Sequence, residues 1–390
     1  MKMTHQLTLA VGLMLAGFST SLSAMPAFAR QTGASCEVCH AIPTLQLTAT
    51  GLEFQAKGFR FEATKYSSKD FTLDKTTGLT VDASVTAVKA AAPSTQTNQP
   101  DLQLYSGGPV SEHFSYLAMY HFNSTSDPTQ NVEEAYLQYN HQIPGGSLLS
   151  IRGGEFQPLI LRDFGLGAGA ALAQPLVLTQ SVSSTTPFNL ATNLAGMDVN
   201  LRTKHFDVAI GASNPTTGTA ATNPTNHKDT FVDADWRFDD EASALGLFRY
   251  DGTNLVFNTP GDPTSGLSFR DDFSRTGVLF RFIRDQWRFM GGLFNGDHTT
   301  DALGTSIKNR GYFGEFNVNV SEAFGAYARY ERLQPVLLDP TLDTKLELLG
   351  CTGMAFKTDK TGGRWTVEGS RSDQNGATNQ QVMLDFILAF

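Results

Sequence analysis

The chain closes on Gln381-Val-Met-Leu-Asp-Phe-Ile-Leu-Ala-Phe390, and this stretch decides the fold. Val382, Leu384, Phe386, Leu388 and Phe390 alternate with Gln381, Met383, Asp385, Ile387 and Ala389. A period of two puts the two sets on opposite faces of an extended strand. The same period recurs upstream. Sixteen segments carry it: 78–90, 99–106, 111–122, 131–140, 147–157, 193–202, 204–213, 229–238, 243–251, 275–284, 286–296, 309–319, 322–332, 344–356, 363–371 and 381–390. No helical period competes with it in this part of the chain.

The connections alternate in length. Thr203, Asp285 and 320–321 are short; 158–192, 214–228, 252–274 and 297–308 are long. An even number of strands with alternating short and long connections predicts an all-β, antiparallel barrel of the outer-membrane type. A terminal Phe is common in such barrels. The faces follow from cost. A charge facing lipid costs about 2–4 kcal/mol near the midplane, so polar faces must point inward. Val232, Trp236, Val278, Phe280, Phe282, Tyr312 and Phe316 are then expected on the lipid side. Asp233, Asp235, Arg237, Arg281, Glu315 and Asn317 are expected in the lumen. A soluble β-sandwich would not explain the alternating loops. The longest loop, 158–192, is rich in Gly, Ala and Leu, and is expected to fold into the lumen rather than lie in water.

Composition agrees. The 390 residues are 41% hydrophobic and only 17% charged, which excludes a disordered chain. The net charge of −9 is spread without a basic block, so no nucleic-acid partner is expected. Three Cys cannot build a disulfide scaffold. Residues 1–29 read as an export signal. Lys2 starts it, Leu7 to Phe18 is its apolar stretch, and Ala27-Phe28-Ala29 offers a small-x-small cleavage site before Arg30. The expected organisation is therefore signal 1–29, a connector segment 30–77 and the barrel 78–390.

The connector carries Cys36-Glu37-Val38-Cys39-His40, the Cys-x-x-Cys-His pattern of covalent c-type haem attachment. Two thiols three positions apart can each form a thioether to the macrocycle, and the next residue sets an imidazole on the iron. A redox dithiol would want a preceding strand, and a zinc site would want further Cys or His at matching spacing. A segment of some 48 residues is too short to bury haem unaided. The lumen is the expected supplier of walls, so the segment is expected to plug it.

The second axial ligand is not fixed by the sequence. Between Arg30 and Glu112 the only His is His40, and there is no Met. His121, Met119 and His113 share one face of a single strand and are the leading candidates, with His205, Met290 and Met383 behind them. Each is equally readable as a plain lumen-lining residue. External acids at Asp271-Asp272, Asp297-His298 and Asp301 are candidates for a cation site. Cys351 reads as a small lumen filler beside Leu346, Leu348 and Met354.

Phe28-Ala29-Arg30-Gln31-Thr32-Gly33, then Cys36-x-x-Cys39-His40, Pro43-x-Leu45 and Gly51-x-x-Phe54-x-x-Lys57-Gly58-Phe59, resembles the outer-membrane cytochrome–porin fusions. The resemblance in specific residues covers about 28–60. It implies one covalent haem c in a short monohaem cytochrome joined to a sixteen-stranded porin. It also implies an Fe(II) oxidase, in which electrons from extracellular Fe(II) pass to a periplasmic cytochrome or other carrier. Thr50 and Leu52 stand where the family places an aromatic and a base. Two further readings stay open: electron export through the same architecture, and a diffusion porin whose haem is structural or sensory. A periplasmic cytochrome on a soluble β-domain is the remaining rival.

Overall fold

The computed structural model describes residues 26–389 apart from 45, 62–71, 90–92, 98–99, 123–131, 167–168, 184–185, 187, 216–226, 241–242, 259–264, 302 and 358–361. Phe390 lies outside the described residues. The strands are β1 (Thr77–Lys89), β2 (Ser94–Thr97 and Asp101–Pro109, both paired with β1), β3 (Phe114–His121), β4 (Val132–Ile143), β5 (Ser147–Phe156) and β6 (Leu194–Arg202). They continue as β7 (Phe206–Ser213), β8 (Asp229–Arg237), β9 (Ala244–Phe257), β10 (Leu267–Arg284) and β11 (Trp287–Thr299). The last are β12 (Ser306–Ser321), β13 (Phe324–Gln334), β14 (Thr344–Lys357), β15 (Gly362–Gln374) and β16 (Ala377–Ala389). Each pairs antiparallel with its neighbours, and β16 returns to β1, with Leu384 opposite Val85. The result is a closed barrel of sixteen strands, as the period-two pattern predicts.

Several strands run further than the hydrophobic alternation. β10 begins at Leu267 rather than 275, and β9 extends to Phe257 rather than 251. These extra turns of ladder lie at the end carrying the long loops. The inner face there carries the buried Asp271 and the outer face the exposed Arg270 and Asp272, so the stretch shows no apolar period although it is extended.

The faces sort as expected. Leu247, Ile210 and Leu349 are 61%, 64% and 68% exposed on the outer surface. Asp233, Arg281, Glu315 and Glu331 are buried inside. Several interior charges are paired, which offsets their desolvation. Arg329 sits between Glu315 (3.2 Å) and Glu331 (2.7 Å), and Arg152 forks onto Asp198. One face assignment is corrected. Even residues of β14, Leu348, Thr352 and Met354, are buried inside, so Cys351 lies on the outer face, opposite Ala326 and Val367.

Loop 158–192 does fold inward. Phe164 and Leu178 are wholly buried. The backbone of the loop is held by the wall: Ala170 N donates to Glu315 (2.7 Å), Leu172 N to Glu368 (2.8 Å) and Leu176 N to Glu331. Arg281 stacks on Phe164 at 4.5 Å and donates to Asp163 O at 2.9 Å.

Leu247 tests the lipid face. Leu247→Arg is expected to cost about 2–4 kcal/mol of folding free energy in lipid vesicles, if the residue lies near the midplane. A denaturant titration showing no loss would place it out of the bilayer.

Candidate functional site

Residues 26–56 before the barrel form three short helices: α1 (Pro26–Thr32), α2 (Cys36–Cys39) and α3 (Ala49–Ala56). Thr48 joins the last two. Its hydroxyl accepts from Gly51 N (3.1 Å), capping α3, and donates to Val38 O (2.7 Å). Gly51 is required by close approach, because a Cβ there would lie 2.1 Å from the Cys39 carbonyl oxygen. After α3 the chain turns at Gly58 (φ 70°), where a Cβ would meet Ser115 Oγ at 2.2 Å. The turn brings Phe59 back to stack on Phe28 at 4.7 Å, with Phe54 edge-on to Phe28 at 5.4 Å. Ala27 and Phe28 precede the expected cleavage point, yet in the whole chain both pack into the core.

This segment is tied to the wall around the ring. Arg30 donates to Thr77 O on β1, and Gln31 to Gly107 O on β2 (2.7 Å). Arg60 reaches Phe114 O on β3 (3.1 Å), and Gln138 of β4 donates to Ala56 O (2.9 Å). Glu53 pairs with Arg202 of β6 (3.0 Å) and Arg237 of β8 (3.6 Å). Arg288 of β11 donates to Leu47 O (2.6 Å), and Thr44 to Asn319 of β12 (3.1 Å). Met354 of β14 packs on Cys36 and Ile42. Anchors on so many strands mean the segment spans the mouth bounded by the short turns. Above it, Leu47 and Leu52 meet Arg162 and Asp163 of the inward loop, leaving a cavity of only about 20 Å³.

Cys36 and Cys39 share one helical turn without a disulfide, with His40 directly after them. Cys36 is buried and Cys39 half-buried against the cluster that holds Phe54. Burial, then the neighbouring Cys36, pushes the Cys39 thiol up to about 11. A reactive dithiol needs the opposite shift. The donor set fits covalent haem: two adjacent thiols and an imidazole, on a turn fixed to the wall. Cys36, Cys39 and His40 are the residues that would hold it. Met354 is a neighbour that sequence reading did not single out; register between β14 and a plug has no local signal.

The expected sixth ligands scatter. His121 is engaged on both nitrogens, by Asp101 (2.6 Å) and Glu133 (2.9 Å), as part of a polar cluster. His113 is an exposed residue at the rim, with Nδ1 3.1 Å from Asn140 O. Met119 is buried in the same apolar cluster as Phe54 and Phe59. Met290 faces inward beside the loop, and His205 lies at a rim turn against Arg237 O (3.2 Å).

The external acids do not converge either. Asp271 points inward, accepting from Thr186 (2.6 Å) and Thr299 N (2.9 Å). Asp272 pairs with Arg270 (2.7 Å), Asp297 accepts from Ser274 (2.7 Å), and Asp301 caps its own loop at Leu303 N (2.9 Å). His298 is buried on the inner face. Among the described residues no group of three or more His, Cys, Asp or Glu is arranged to hold a metal ion. Successive residues of a strand face opposite ways, so Asp271-Asp272 and Asp297-His298 are each split by the barrel wall.

Glu53 makes the anchorage pH-dependent. Burial works against its ionisation, but Arg202, Lys57 and Arg237 outweigh it and hold the carboxyl below its usual 4.5. A depressed carboxylate contributes above the unfolded value and is lost as pH falls through the folded one. Hydrogen-exchange protection of α3 amides is expected to be level above about pH 4.5 and to drop below it, with Glu53→Gln showing low protection throughout.

No family model matches the chain, and no curated protein is similar to it in sequence. Solved structures are similar in shape. The anion-selective porin of Comamonas acidovorans has a TM-score of 0.59 at 12% identity, over 81% of this chain and 99% of that one. OmpT of Vibrio cholerae, an outer-membrane protein folded in vitro, gives 0.53 at 13%, over 85% and 100%. Salmonella typhi OmpF, in complex with daunomycin, gives 0.52 at 11%, over 80% and 97%. At such identities the likeness establishes the fold alone: the chain is a sixteen-stranded barrel of the porin type.

Proposed function

We propose that the chain is an outer-membrane electron-transfer protein, in which one c-type haem on Cys36, Cys39 and His40 links an extracellular donor to a periplasmic carrier. The observation that carries this reading is the placement of the Cys-x-x-Cys-His turn. It sits in a plug anchored on β1, β2, β3, β4, β6, β8, β11 and β12. When bound, the haem supplies one-electron exchange at a potential set by its axial ligands and surroundings. The chain's own residues fix the site and keep it dry. Thr48 locks the attachment turn to α3, Phe54 and Phe59 pack behind it, and Met354 walls it on the barrel side. Arg30, Glu53 and Gln138 stop the plug from swinging out. Fe(II) as donor rests on the resemblance over residues 28–60. Oxidising iron outside the cell would keep insoluble Fe(III) there.

The test is an anaerobic visible spectrum of the detergent-purified, oxidised protein before and after Fe(II). A sharp c-type α-band appearing with Fe(II) is expected, and it should be missing in Cys36→Ser/Cys39→Ser. If dithionite but not Fe(II) reduces the haem, iron is not the donor and electron export takes precedence.

A diffusion porin is the second reading, and the likeness to an anion-selective porin favours it. The plug at the periplasmic mouth and the inward loop argue against it. The intact protein is expected to give little conductance in planar bilayers. Porin-sized steps would transfer the argument to diffusion.

A further inference from the structure

The inward loop does not fill the whole external vestibule. Between its second half and the wall of β10–β13 lies a cavity of about 260 Å³. Its walls are largely apolar: Val177 and Val182 of the loop, Phe294 of β11, Ile307 of β12, Leu333 of β13 and Val336 beyond it. Its permanent charges are two guanidiniums, and a buried imidazole stands beside them. Arg275 and His298 are 7% and 6% exposed, and Arg310 joins them from the rim. Arg275 is fixed by donating through one nitrogen, Nη1, to Ser274 O (2.8 Å) and Asp297 O (3.4 Å), both backbone carbonyls. The Nδ1 of His298 is buried without a hydrogen-bond partner among the described residues. The acids around this corner are occupied elsewhere. Asp271 is held by Thr186 and Thr299 N, and Asp297 by Ser274. No carboxylate lines the cavity.

A buried imidazole with an unmade hydrogen bond carries a desolvation cost that a ligand can relieve. The Arg275 guanidinium makes its hydrogen bonds to carbonyls, and although Asp297 and Asp271 lie near enough to feel its charge, neither forms an ion pair with it. Apolar walls with a few placed polar groups are the usual make-up of a small-molecule site. The volume lies just under the ~300–1,000 Å³ of sites for drug-sized ligands, so the occupant is small. We propose that this cavity binds a small monocarboxylate with an apolar body, its carboxylate on Arg275 and His298 and its body against Phe294, Val177 and Leu333. This site lies on the external side of the inward loop and is independent of the Cys36–His40 plug.

The probe is benzoate, titrated calorimetrically into the detergent-folded full-length protein, with benzamide and inorganic phosphate as controls. Saturable benzoate binding is expected, at least about tenfold tighter than benzamide, the worth of one charge-assisted hydrogen bond. Phosphate should bind at least tenfold more weakly than benzoate, because it leaves the apolar walls unused. His298→Ala should weaken benzoate by a similar factor. Val336→Phe, which fills the cavity from a loop and leaves Arg275 and His298 in place, should abolish binding. Folding of each variant is checked by heat-modifiable migration on gels. The proposal is overturned if benzoate does not bind, if benzamide or phosphate binds as well, or if folded Val336→Phe binds benzoate like the parent.

Discussion

The pairing of β1 with β16 is the constraint on which the structure rests. Thr80–Lys89 run against Gln380–Ala389, joining the ends of a chain separated by some three hundred residues. Without that pairing both strands would present unpaired N–H and C=O groups to hydrocarbon, where no water can satisfy them. Closure removes both edges at once and creates an inside. Every second side chain then belongs to the lumen, which is why Asp233, Arg281, Glu315 and Arg329 can be charged and buried together. Those charges need partners, and much of the partnering falls on the two segments that enter the lumen. Glu53 of the plug meets Arg202 and Arg237, and the backbone of the inward loop meets Glu315, Glu331 and Glu368.

The barrel was the legible part. All sixteen strands carry a period of two where they cross lipid, because one face meets hydrocarbon and the other does not. The signal fails where that asymmetry ends. Leu267–Ser274 is strand, yet its outer face carries Arg270 and Asp272 and its inner face the buried Asp271, so the apolar alternation disappears. Cys351 shows a second limit. Its neighbours Leu348 and Met354 are apolar and inward, so composition alone does not separate the faces of β14; parity does.

The attachment motif was legible as chemistry, but its surroundings were not. Gly51, Phe54, Lys57, Gly58 and Phe59 resemble a family pattern in sequence, and the structure supplies their reasons. Gly51 lets α3 approach the Cys39 carbonyl, Lys57 pairs with Glu53 at 3.0 Å, and Gly58 turns Phe59 back onto Phe28. What no sequence pattern could supply was position within the ring. His121, Met119 and His113 share a strand face, but a face is not a site. His121 lies near the external end with two carboxylates, while the Cys36 turn lies at the opposite mouth beside Met354. Distances along the barrel axis depend on strand tilt and on where the plug rests, neither of which is encoded locally.

The most direct measurement is the intact mass of the denatured chain after export to the outer membrane of a host able to attach haem c. The thioether reading predicts a chain heavier than its polypeptide by one haem, retained through denaturation, and lost in Cys36→Ser/Cys39→Ser with the barrel still folded. A parent chain at the bare polypeptide mass from the same host would contradict it, and the plug would then be a plain stopper in a porin-type barrel.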